Sequence, residues 1–318
     1  MYPLLLKPAV KDYLWGGTRL KTEYNYETNK KIAAEAWVLS CHKDGADRVI
    51  NGSLAGKTLA EVIELWGDKA IGKKAAAFPY FPLLIKLIDA KDRLSVQVHP
   101  DDEYALKNEG EFGKTEMWYV VDCDEGAKLI YGFNREVSKV EFEQRIKDNT
   151  LQEICNYVPV HKGDVFFISA GTLHAIGAGI LIAEVQQNSN TTYRVSDYGR
   201  LGADGKPRPL HIEKALEVTK RTPPVLPYGS VGEIKKENFG SVRKLASCDL
   251  FTAEILSLDG ETDLCLRDSF ISLLVLSGEL NIAWDGGSLS AKKGGSIFIP
   301  ADFEVKISGK AEILYSRI

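Results

Sequence analysis

Within Leu94-Ser95-Val96-Gln97-Val98-His99-Pro100, apolar and polar residues alternate strictly. A strand of that period points Leu94, Val96 and Val98 one way and Ser95, Gln97 and His99 the other. A hydroxyl, a carboxamide and an imidazole on one face suit a wet cavity or a metal better than bulk water. For this segment alone, an edge strand with a solvent-facing histidine is the plain alternative. Two more residues shift the balance: Glu116 opens the next long strand, and His174 follows a glycine hairpin at Gly163. Gln97, His99, Glu116 and His174 together offer two imidazoles, a carboxylate and a carboxamide. Zinc takes nitrogen and oxygen donors of this kind, and a position left open on it makes such a site catalytic rather than structural. A barrel brings inward-facing positions of separate strands together, so the spread along the chain is no obstacle.

The segments that must carry these residues read as short strands closed by tight turns. Residues 34–40 alternate, with Glu35 beside Trp37, and residues 83–88 form an apolar run interrupted by Lys86. A cation inside such a run is costly unless it snorkels or meets an anion. Capping-box patterns at Thr58-x-x-Glu61, Ser138-x-x-Glu141 and Thr150-x-x-Glu153 open short helices. The unit at 162–170 leads through a turn to His174, and residues 180–185 form an apolar strand with Glu184 near its end. Residues 293–301 echo 162–170, and in register Val305 takes the place of His174. Two copies of one β unit, with polar chemistry only in the first, imply one working domain and one structural partner. Residues 221–245, rich in Pro, Gly and Lys, read as a linker or crossover. His161 and His211 read as structural, and His42 beside Cys41 as solvent-exposed.

The chain has 318 residues, 44% hydrophobic and 26% charged, with a formal net charge of -4. That balance gives no reason to expect a nucleic acid or a membrane surface as partner, and an anionic substrate would need its own local cations. Five scattered cysteines without a CxxC pair fit free thiols in a reducing compartment. Pro3-Leu4-Leu5-Leu6 is too short for a signal sequence, and no apolar run reaches membrane-spanning length, so a cytoplasmic protein is expected.

The spacing of Gly163, Ser169, Gly171 and His174 resembles the second cupin motif. The segments 94–100, Gly113-Lys114-Thr115-Glu116-Met117-Trp118 and Asn188-x-Asn190-Thr191-Thr192-x-Arg194 resemble type I mannose-6-phosphate isomerases in their short bacterial form. The resemblance runs from Trp15-Gly16-Gly17 to the C-terminal β region. It implies a mainly β bicupin, two jelly-roll-like β-barrels or sandwiches with short helical insertions. Residues 1–235 would form the metal-binding catalytic cupin domain, and 236–318 a cupin-like β domain without metal ligands. It further implies one zinc ion per chain on Gln97, His99, Glu116 and His174, an active-site role for Arg194, and a hexose 6-phosphate substrate. The implied reaction is the interconversion of mannose 6-phosphate and fructose 6-phosphate.

Moving a proton between C1 and C2 through an enediol(ate) requires a base and positive charge where the oxygens become negative. Arg194 supplies a permanent cation, unless a salt bridge with Asp197 occupies it. Ser95, Lys86 and Lys114 are the candidates for phosphate and hydroxyl binding. For the base the residues leave two candidates open, Glu184 and Lys114. Some relatives have an aspartate four residues before the arginine, but Asn190 stands there in this chain. Other readings of the residues are an iron cupin oxygenase, another sugar-phosphate isomerase, or a sugar-phosphate-binding protein without catalysis. The single glutamine and absent third histidine count against the oxygenase.

Overall fold

A computed structural model describes residues 1–202 and 205–318. Three antiparallel sheets of nine, six and five strands make up the fold, with a few short helices. The mainly β, cupin-type architecture expected from the sequence is what forms. No helix among the described residues is long and apolar enough to cross a membrane.

The six-stranded sheet runs Val165–Ile168, Glu116–Cys123, Ile180–Gln187, Leu83–Ala90, Glu35–Ser40, Ala9–Lys11. Its two central strands, Ile180–Gln187 and Leu83–Ala90, are buried at every position. Both faces of this sheet are covered, which is why these strands read as continuous apolar runs. On one face Leu83, Ile85, Leu181, Ala183 and Met117 pack against Phe251, Phe270 and Phe298 of the nine-stranded sheet. On the other, Trp118, Val120, Phe166 and Ile182 meet Leu129, Tyr131 and Ile176 of the five-stranded sheet.

That five-stranded sheet runs Tyr193–Ser196, Val96–Val98, His174–Ala175, Lys128–Phe133, Cys155–Pro159. Val96 and Val98 face outward, under Phe142 and Ile146 of the helix Lys139–Lys147 and Ala215 and Leu216 of the helix Ile212–Val218. The opposite face, carrying Gln97, looks across to the six-stranded sheet. Leu94 precedes the strand and packs with the inner cluster, so it does not share the outward direction of Val96 and Val98.

The internal repeat is visible in hydrogen bonds. Gly163 N donates to Val120 O and Val120 N to Asp164 O; Gly294 N donates to Val275 O and Val275 N to Gly295 O. Both turns need φ near +90°, 89° at Gly163 and 90° at Gly294, which glycine alone adopts freely. Three local outcomes qualify the sequence reading. Thr150 makes no cap bond and opens a 3₁₀ turn, whereas Thr58 closes a full capping box. Residues Ile234–Glu237 and Gly240–Ser247, within the expected crossover, pair as a hairpin on the nine-stranded sheet. The first strand, Leu4–Lys7, crosses to pair with Ser296–Ile299 of that same sheet.

Phe298 stacks on Phe270 with ring centroids 5.3 Å apart, and Phe270 lies 5.0 Å from Phe81. The ring is fully buried where the two β units meet. Phe298→Ala is expected to cost about 3–5 kcal/mol. Thermal and urea unfolding should show a single lowered transition, because both units lean on this ring.

Candidate metal and active site

Two cross-strand rows face each other inside the first sandwich. On the six-stranded sheet, Trp37, Lys86, Glu184 and Trp118 stand side by side in register. On the five-stranded sheet the row is Arg194, Gln97, His174 and Tyr131. Residues opposed in register share a face, so each row presents its side chains as a group.

At one end the donor atoms converge. His99 Nε2 lies 3.2 Å from His174 Nε2 and 3.7 Å from Glu116 Oε2, and His174 Nε2 lies 3.4 Å from Glu116 Oε1. The Gln97 amide is 3.3 Å from His174 Nε2, and a half-turn of that amide offers its oxygen instead of its nitrogen. Ligand atoms held tetrahedrally at about 2.0–2.1 Å from zinc lie roughly 3.3–3.4 Å apart, so these spacings match the edges of such a shell. The imidazoles are fixed from behind: His99 Nδ1 is 3.0 Å from Thr191 O, and His174 Nδ1 is 2.8 Å from Thr172 O. Each Nδ1–H therefore donates to a carbonyl, and each Nε2 lone pair turns inward, as in metal-ligating histidines.

Protonation agrees with that tautomer. Burial holds His174 down to about 4, and burial with the neighbouring Lys114 and His174 holds His99 well below the usual imidazole range. Both oxygens of Glu116 are buried without a hydrogen bond, and the Lys114 ammonium, 2.9 Å from Oε2, meets them as an ion pair. Burial and the Glu184 charge push the Glu116 carboxyl up to about 7. Two inward lone pairs and a buried carboxylate partnered by Lys114 form a donor set that a divalent metal fits. His99, Glu116 and His174 can hold one, with Gln97 beside them.

Next to these ligands lies a buried network of charges. Lys86 Nζ is 3.1 Å from Glu184 Oε1 and 4.0 Å from Glu35 Oε2, and Lys114 Nζ is 3.8 Å from Glu184 Oε1. Trp118 Nε1 donates to Glu184 Oε2 at 2.9 Å, and Trp37 Nε1 to Glu35 Oε2 at 2.7 Å. Burial alone would raise the Glu184 carboxyl. The Lys114 and Lys86 ammoniums outweigh it and keep Glu184 ionised.

These groups floor a cavity of about 280 Å³ whose lining includes Ser95, Gln97, Glu35, Asn190, Thr192, Arg194 and Arg208, with Tyr13 and Trp15 on its wall. Every residue expected at the site from the sequence thus lies in this cavity or among the converging ligands. The alternative pairing for Arg194 does not form, because Asp197 is taken by Arg200 and Arg208. Arg194 Nη1 donates to Pro209 O at 3.0 Å, and its Nε is buried without a partner.

Arg208, which no sequence pattern singles out, also lines the cavity, and Glu35 is held there by Trp37 and Lys86. Asn190, Thr192 and Arg194 line the cavity at alternate positions, a period-two signal that was available; Arg208, inside Pro207-Arg208-Pro209, carried none. His42 was misplaced. It is 6% exposed, folded edge-on against Trp37 and 3.6 Å from both Asp44 and Glu111. His211 is structural, as expected: its Nδ1 accepts from Arg194 N at 3.1 Å.

Comparison with known proteins places this architecture. The family model described as phosphomannose isomerase type I, catalytic domain, matches residues 4–125, and that described as mannose-6-phosphate isomerase, cupin domain, matches residues 241–318. The probable mannose-6-phosphate isomerase GmuF of Bacillus subtilis (strain 168) is 39% identical over 99% of both chains. The crystal structure of the mannose 6-phosphate isomerase from Bacillus subtilis superposes with a TM-score of 0.91 at 32% identity, covering 100% of both chains. A zinc-bound holo mannose 6-phosphate isomerase shares the fold, with a TM-score of 0.80 at 19% identity over 99% of both chains.

A carboxyl raised to about 7 is protonated below that pH in the folded, metal-free protein, whereas a metal requires the carboxylate. Acidification therefore sets protons against the metal at Glu116, while His174, held at about 4, adds no competition until much lower pH. Zinc affinity, measured by competition with a chelator, is expected to fall steadily as pH drops below about 7. A flat affinity profile from about pH 8 to about pH 5 would contradict this assignment of Glu116.

Proposed function

The chain belongs to the type I mannose-6-phosphate isomerase family, and we propose that it interconverts mannose 6-phosphate and fructose 6-phosphate with one zinc ion on Gln97, His99, Glu116 and His174. The observation that carries this reading is the convergence of two Nε2 lone pairs and the buried Glu116 carboxylate beside a cavity lined by Lys86, Lys114, Arg194 and Arg208. Zinc bound there supplies Lewis-acid stabilisation for sugar oxygens that gain negative charge. The remaining work falls to side chains.

Glu184 Oε1 is the proton acceptor in this reading. It is ionised, paired with the Lys86 ammonium at 3.1 Å, and belongs to the cavity lining, while Oε2 is fixed by Trp118. Lys114 Nζ, 3.8 Å from that oxygen, is placed to give a proton to a sugar oxygen as the double bond shifts. Lys86 holds Glu184 in place and, with Ser95, offers donors to sugar hydroxyls. Arg194, registered opposite Gln97, sets a permanent positive charge beside the enediolate. The division at residues 235/236 and the cytoplasmic location belong to the same proposal. The first is supported by the hairpin that begins at Ile234, just ahead of that division, and joins the nine-stranded sheet, the second by five free cysteines.

A coupled assay on mannose 6-phosphate should detect turnover in the purified protein. Activity should disappear on chelation and return with zinc. A protein that keeps its zinc yet does not isomerise mannose 6-phosphate would overturn the reading. Arg194→Ala should retain fold and zinc while losing about 10²–10³-fold in kcat; wild-type turnover by the metallated variant would remove Arg194 from the chemistry.

A further inference from the structure

We infer that Glu111 is a positioning residue for the metal ligand His99, acting through Thr191, an inference that rests on the zinc-dependent reading above. His99 Nδ1 bonds to Thr191 O at 3.0 Å, so the place of that carbonyl sets the direction of the inward Nε2 lone pair. Thr191 stands just ahead of Tyr193–Ser196, the edge strand of the five-stranded sheet. An edge offers sheet bonds on one side only, so the outer side needs a different brace.

Among the described residues two braces hold that side. At Arg194 the brace is His211, whose N–H donates to Arg194 O at 2.8 Å while its Nδ1 accepts from Arg194 N at 3.1 Å. Ahead of Arg194 the brace is the loop 109–113. Asn190, Thr192 and Arg194 line the cavity, whereas Thr191 and Tyr193, between them, bond to the loop. Glu109 and Glu111 share the same two-residue spacing and meet them in reverse order. Tyr193 Oη donates to Glu109 Oε1 at 2.7 Å; Asn190 N and Thr191 Oγ1 both donate to Glu111 Oε2 at 3.4 Å.

Glu111 is itself held on its other oxygen. Oε1 lies 3.1 Å from Lys43 Nζ and 3.6 Å from His42 Nε2. Its neighbours fix the loop: Phe112 N donates to Tyr80 Oη at 2.7 Å, and Gly113 N donates to Asp102 Oδ1 at 2.8 Å. The Phe112 and Tyr80 rings lie 4.1 Å apart. The same loop leads straight into Lys114 and the ligand Glu116. Glu111 therefore ties the segment that aims His99 to the segment that delivers Glu116. It sets the relation between two ligands without belonging to the converging cluster of His99, Glu116 and His174.

Zinc affinity by chelator competition and the visible spectrum of the cobalt-loaded protein test this in Glu111→Ala, Glu111→Asp and Glu111→Gln, with melting temperature measured alongside. Glu111→Ala should weaken zinc binding about ten-fold and shift the cobalt bands, the low end of what loss of an outer partner of a ligand costs. Glu111→Asp withdraws the same charge by one methylene and should weaken zinc in the same direction. Glu111→Gln keeps an acceptor oxygen at the same reach and should bind zinc nearly as tightly as the wild type. A Glu111→Ala protein that melts lower yet keeps wild-type zinc affinity and cobalt bands would overturn the inference, since Glu111 would then be structural only. Equal losses in Glu111→Gln and Glu111→Ala would overturn the hydrogen-bonded route through Thr191. Should Glu111→Ala fail to fold, wild-type affinity and bands in Glu111→Asp would overturn it as well. A wild type that binds no zinc would instead sink the metal reading, and this inference with it.

Discussion

A lysine and a glutamate opposed in register, Lys86 and Glu184, sit at the centre of a sheet covered on both faces. Neither could be buried alone, since an isolated charge in such surroundings costs several kcal/mol and removal of one partner strands the other. Their pairing ties the strand register to the chemistry. A slip of one residue would turn both charges toward Phe270 and Phe298 and would carry Glu116 out of reach of the histidines. The Trp118 and Trp37 indoles, bonded to Glu184 and Glu35, extend the same constraint across the flanking strands.

From that row follows the electrostatic character of the site. Glu35, Glu116 and Glu184 face Lys86 and Lys114, three carboxylates against two ammoniums, with both imidazoles neutral. With Glu116 ionised the network holds an excess of one negative charge beside the two Nε2 lone pairs. Such a place favours an added cation over an added anion. Arg194 and Arg208 also line the cavity, and Arg208 is paired there with Asp197.

Much of this could be read from residue order, because the decisive signals are local. Alternation around Gln97 and His99 reports a strand with helices on one side and a cavity on the other, and a lone lysine inside 83–88 announces an anion nearby. Repeated glycine turns at Gly163 and Gly294 likewise reflect a backbone requirement written into two short segments. What escaped depends on distant partners. Leu4–Lys7 joins a sheet formed almost three hundred residues later, and nothing in three leucines and a lysine names its partner. His42 looks exposed because its immediate neighbours are polar; the chain folds it back onto Trp37 of the preceding strand, and Glu111 arrives from a separate loop. Arg208 owes its place to Asp197 and not to any pattern of its own.

The second β unit contributes to the chemistry without lending a ligand. Among the described residues the candidate metal cluster lies wholly in the first. Yet the shifts that ready the site, imidazoles kept neutral and the Glu116 carboxyl raised, have burial as their largest cause. Burial of that depth requires the face of the six-stranded sheet away from the cavity to be dry. Phe251, Phe270 and Phe298 cover the side away from the cavity. With that face wet, charges in the sheet would be screened, and the balance between Glu116, Glu184 and the two lysines would relax toward ordinary values. The ligand-free unit therefore acts on the reaction through the dielectric surroundings of the sheet it covers.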